Sequence, residues 1–75
     1  MGTTMNYNDL TAEEIYDDFR LHGDADFAKA TRIRDKYGLL EATQWLLAQI
    51  ALEYDIDDRD PRYEDLWEIV DAGLD

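Results

Sequence analysis

Cysteine and serine are missing from this 75-residue chain. Without cysteine there is no disulfide framework and no thiolate metal site. Without either residue, cysteine and serine nucleophiles are both excluded. Histidine occurs once, at His22, so one chain holds no multi-histidine metal site. Basic residues are scarce, seven against nineteen acidic ones, for a formal net charge of −12. That balance excludes electrostatic attraction to nucleic acid or to an anionic membrane. Long hydrophobic runs are also lacking. The most apolar stretch, Leu39 to Tyr54, contains Glu41, Thr43, Gln44, Gln49 and Glu53 and is too short and too polar to span a bilayer. The opening MGTTMNYNDL has neither a basic n-region nor an apolar h-region, and Asn6 defeats a myristoylation reading of Gly2. Met5 offers an alternative native start. The chain therefore reads as a soluble, cytoplasmic, single domain over residues 1–75, with 1–9 a flexible N-terminus.

The acidity does not signal disorder. Hydrophobic residues make up 45% of the chain and aromatics 12%, and acidic disordered chains lack such residues. The apolar pattern has a helical period throughout, with no period-two run, so no strand is expected. Thr11 and Glu14 are spaced as a capping box, with Leu10 and Ile15 as its hydrophobic staple. Ala12, Ile15, Tyr16 and Phe19 then line one face, and Gly23 is expected to end this first helix in a left-handed conformation. Asp24 is the expected N-cap of a second helix to about Tyr37, with Phe27, Ala30, Ile33 and Tyr37 on its apolar side and Gly38 as its stop. A third helix, from about Leu40 to Tyr54, is apolar around most of its circumference, which marks a central helix or one packed on another chain. Asp55 to Asp60 reads as a polar loop. Asp60 then caps a fourth helix with Pro61 at its first position. Tyr63, Leu66, Trp67 and Val70 are its apolar face. Gly73 is its expected end, with Leu74 placed to fold back onto the last turn. The fold class is all-α: a small bundle of about four helices around a central apolar third helix, with helices 1, 2 and 3 sequential neighbours.

The charge is uneven. Residues 1–23 carry −4, 24–38 carry +1, 39–54 carry −2, and 55–75 carry −7, nine acids standing against Arg59 and Arg62. Glu13 and Asp17, Glu14 and Asp18, and Glu64 and Glu68 are like-charge pairs four apart. Glu68 and Asp71 are a pair three apart. Each such pair costs a helix roughly 0.2–0.5 kcal/mol. A sequence optimised only for folding would intersperse lysine here, so the stripes suggest selection for something else. Glu64, Glu68, Asp71 and Asp75 follow one face, and carboxylates four residues apart rise about 6 Å, the same order as successive phosphates on a strand. A solvated face that aids solubility is the plain alternative.

Other constellations are weaker. The run DIDDRD holds Asp55, Asp57, Asp58 and Asp60, but an EF-hand beginning at Asp55 would need glycine where Asp60 stands and glutamate where Leu66 stands. No metal, cofactor or catalytic residue is assigned. Helix 2 holds the basic cluster Lys29, Arg32, Arg34 and Lys36. A helix-turn-helix would place its reading helix in the largely apolar third helix, which has no basic residue, so pairing of helix 2 with acidic helices 1 or 4 explains these cations better. His22 sits where a partial positive charge suits a helix C-terminus. Trp45 and Trp67 read as core; an outward Trp45 would mark a dimer or partner patch.

Carboxylates Glu13, Glu14, Asp17 and Asp18, together with the stretch from Asp55 to Asp75, give the chain a resemblance of class. Small, cysteine-free, acidic single domains of this kind resemble phage-encoded inhibitors of host defence, the anti-CRISPR and anti-restriction DNA-mimic proteins. That group shares no sequence signature, so no residue role carries over. The resemblance implies a stoichiometric, non-catalytic inhibitor that occupies the Lys- and Arg-lined nucleic-acid path of a nuclease or CRISPR complex. It binds no nucleic acid itself. The expected partner-binding residues are Glu13, Glu14, Asp17, Asp18, Asp55, Asp57, Asp58, Glu64, Asp65, Glu68 and Asp71. The alternative is a homodimeric or adaptor domain that uses apolar helix 3, with acidity serving solubility.

Overall fold

The computed structural model describes residues 9–75. The expectations of a flexible N-terminus and of a start at Met5 fall almost wholly on Met1 to Asn8, outside the described residues. Four helices follow one another: α1 (Ala12–His22), α2 (Asp24–Tyr37), α3 (Leu39–Tyr54) and α4 (Arg62–Leu74). No strand occurs among the described residues. The protein is a small all-α bundle in which α3 packs against α2 on one side and α4 on the other.

α1 begins as its sequence dictates. The Thr11 hydroxyl accepts from the Glu14 amide at 3.2 Å, and the Glu14 carboxylate accepts from the Thr11 amide at 2.9 Å. Ala12, Ile15, Tyr16 and Phe19 are its four buried residues. Gly23 does not take the expected left-handed conformation: its φ is −100° and ψ 25°. Its requirement is steric, because a Cβ there would lie 2.7 Å from the Phe19 ring. Asp24 is the first residue of α2 rather than its cap, and no side chain caps that helix. Gly38 does adopt positive φ, at 105° with ψ 166°, a region open essentially to glycine alone.

Three further expectations are revised. Tyr37 is not on the apolar side of α2: it is 64% exposed, with the Lys36 ammonium 5.3 Å from its ring centre. Gly73 does not end α4, which runs on to Leu74; instead a Cβ at Gly73 would strike the Tyr16 hydroxyl. α1 packs chiefly on α4, with only slight contact to α2, so the spatial order is α2, α3, α4, α1. The short α1–α2 turn does join aromatic edges. The Phe27 ring lies 5.8 Å from both Tyr16 and Phe19.

The Asp55–Asp60 loop is less polar than its sequence suggests. Asp55 takes the left-handed conformation (φ 55°) that a helix stop needs. The Ile56 amide then donates to the Ala51 carbonyl at 2.9 Å, the six-to-one bond of a Schellman closure. That bond turns the Ile56 side chain back onto the core, where it is 5% exposed. Ahead of α4, Asp60 is not the expected N-cap: Pro61 holds that position, with helical φ of −56° and no side-chain cap bond. The Asp60 carboxylate accepts from the Arg62 amide at 2.9 Å.

Candidate functional site

The carboxylates divide into those the fold consumes and those it leaves at the surface. Glu14 is held by its capping box. Half-buried Asp18 accepts from the Tyr54 hydroxyl and so ties α1 to the end of α3. Both members of one like-charge pair therefore have structural work. Glu53 meets His22 at 2.5 Å, so the histidine bridges α1 to α3 in addition to sitting at a helix C-terminus. Asp57 accepts from the Arg59 amide at 2.9 Å and lies 3.8 Å from its guanidinium. Asp60 meets Arg62 at 2.8 Å.

Arg62 is a cation whose role the sequence concealed. It is largely buried, holds the Asp60 carboxylate through Nε and its terminal nitrogen, and donates to the Leu10 carbonyl at 2.7 Å. It thus pins the segment entering α1 to the start of α4. The bond from the Arg62 side chain, reinforced by the one from its amide, holds the Asp60 carboxyl below its usual 3.8, and Asp60 in turn raises Arg62. The only advance signal was the DRDPR spacing, which puts an aspartate two residues before an arginine across a proline.

The basic residues of α2 do not pair with α1 or α4 carboxylates as expected. Arg34 donates to the Leu74 carbonyl at 2.5 Å, closing the C-terminus of α4, and pairs with its neighbour Asp35. Lys29 lies 5.0 Å from the ring centre of half-buried Trp45, which therefore does not face outward as a bare patch. Arg20 stacks over Tyr16 and Phe27. Each Arg–Asp pair joins residues only one or two apart in the chain.

Most of the remaining acids are exposed. Packing of α1 on α4 brings Glu13 together with Asp65 and Glu68 around a shallow groove floored by Ala12 and Ile69. Glu64 stands exposed one turn before Glu68, and Asp71 is half-buried one turn after it. Asp17 shares a second recess with Glu14, Asp18, Leu10 and Leu21. Asp55 and Asp58 rim a third, between α3 and the start of α4. The expected partner-binding residues thus occupy three places, and only Glu13, Asp65 and Glu68 join α1 to α4. Among the described residues no group of three or more His, Asp or Glu side chains is arranged to hold a metal ion. Among the described residues no helix is long and apolar enough to cross a membrane. Compared with known proteins, the chain matches no family model, no curated protein and no solved structure.

Proposed function

We propose that this chain is a non-catalytic inhibitor that binds a positively charged nucleic-acid-binding protein or complex through its acidic helices, in the manner of an anti-CRISPR protein. On this reading it is phage-encoded and acts in the host cytoplasm. The observation that carries the reading is the union of Glu13, on α1, with Asp65 and Glu68, on α4, in one groove without any cation among the described residues. Glu64 and Asp71 extend that row along α4. A fold that needed these charges only for stability would pair them, as it pairs Asp60. Exposed carboxylates steer association with a basic surface and make it salt-dependent.

The test is charge reversal. Glu64→Lys, Glu68→Lys and Asp71→Lys together should weaken binding to the basic partner by at least about tenfold, since three exposed pairs are each worth about 0.2–1 kcal/mol before reversal adds repulsion. Helicity by circular dichroism should be retained. Unchanged affinity would refute the mimic reading.

A second reading, a homodimer or adaptor acting through α3, is favoured by Leu40 and Leu52, which are 59% and 80% exposed. It calls for association that high salt leaves intact.

A further inference from the structure

The recess between α3 and the start of α4 sets acids beside apolar side chains, as the recess of Asp17 with Leu10 and Leu21 also does. Its lining is apolar: Ala48, Ala51, Leu52, Ile56 and Tyr63. The Schellman closure at Asp55 makes it, because the bond from Ile56 to Ala51 lays Ile56 into its floor beneath Leu52 on the wall. Ala48 is small and exposed one turn before Leu52, so the wall is low at one end. Leu52 itself is 80% exposed, a large apolar residue in the last turn of α3. Asp55 and Asp58 stand at the rim, and neither forms an ion pair among the described residues. Their neighbours Asp57 and Asp60 are both paired with arginine. The rim therefore keeps two acids outside any ion pair beside the uncovered side chain of Leu52.

We infer that this recess docks a partner segment that presents an apolar side chain flanked by lysine or arginine. The apolar residue covers Leu52, and the flanking cations meet Asp55 and Asp58. Charge complementarity selects this occupant over a second copy of the chain, which would bring −12 and an equally acidic rim to the same place. Lysine and arginine suit the rim further because their aliphatic stems lie along apolar surface while the charged head reaches a carboxylate. The inference rests on the basic partner proposed above and supplies what charge alone does not: an apolar anchor that resists salt.

Two synthetic peptides of equal charge test it. One carries leucine and lysine at helical spacing; the other replaces each leucine by glycine. Binding is followed by amide chemical shifts of the labelled protein at 0.1 M salt. The leucine peptide should bind about four- to twelvefold tighter, as covering about half of a leucine side chain predicts. Leu52→Gln, a substitution at an exposed helical position with little effect on folding, should remove that preference and leave affinity for the glycine peptide unchanged. Equal affinity of the two peptides, or a preference that survives Leu52→Gln, would overturn the inference while leaving the acidic-surface reading in place. Self-association of the wild type that Leu52→Gln abolishes would also overturn it, by showing that a second copy fills the recess. Failure of both peptides to bind would overturn the inference and the basic-partner reading together.

Discussion

At the scale of single residues, two side chains govern the stability of this bundle in opposite senses. Arg62 satisfies the Leu10 carbonyl and the Asp60 carboxylate at once. Its replacement by methionine, which keeps the stem, should cost about 2 kcal/mol, the scale of hydrogen bonds to charged groups, and lower Tm by about 10 °C. A thermal melt checks this. The pH dependence has a fixed sign. Asp60 stays ionised to lower pH in the folded chain than in the unfolded one, because Arg62 bonds its charged form. Its contribution is complete above the unfolded value of 3.8 and is lost as pH falls through the lowered folded value. Asp60→Asn should therefore be less stable than wild type at pH 7, and the gap should narrow below about pH 4 in urea unfolding. Thr43 acts the other way. Its hydroxyl is buried in α3 with no hydrogen-bond partner among the described residues. Thr43→Val keeps the shape and removes the orphan, so Tm should hold or rise, with a gain of up to about 1 kcal/mol.

At the scale of elements, the helices themselves were legible in the sequence. The capping box at Thr11 and the four-residue apolar face of α1 occur as the spacing predicts, because both depend only on residues within one turn or two. What the sequence left obscure depends on distant neighbours. Gly23 and Gly73 look like helix stops, yet their glycine identity answers to Phe19 and Tyr16 packed against them. Ile56 looks like one apolar residue in an acidic loop, and only the left-handed turn at Asp55 carries it inward. Gly38 is the case where local conformation alone decides. With φ of 105° and open space around it, Gly38→Ala should cost about 1–3 kcal/mol from backbone strain without any clash. Chemical denaturation measures this, and an unchanged midpoint would mean the α2–α3 turn relaxes to negative φ.

At the scale of the whole molecule, the charge inventory separates structural from surplus acidity. Glu14, Asp18, Glu53 and Asp60 each hold a capping, bridging or pinning contact, so their placement follows from the fold. The sequence pointed to both acidic helices but gave no sign that α1 would lie on α4. That contact, set by packing rather than by chain order, joins Glu13 to Asp65 and Glu68. Surplus charge on a surface that opposes self-association is what binding to a basic groove requires. The most direct measurement is capture of partners from host lysate by the tagged protein at about 0.1 M and about 0.5 M salt, across which the screening length shrinks from about 10 Å toward about 3 Å. A nucleic-acid-binding complex identified by mass spectrometry at low salt, and depleted at high salt, is the predicted result. Capture of only the chain itself, or of a non-basic partner equally at both salts, would contradict it.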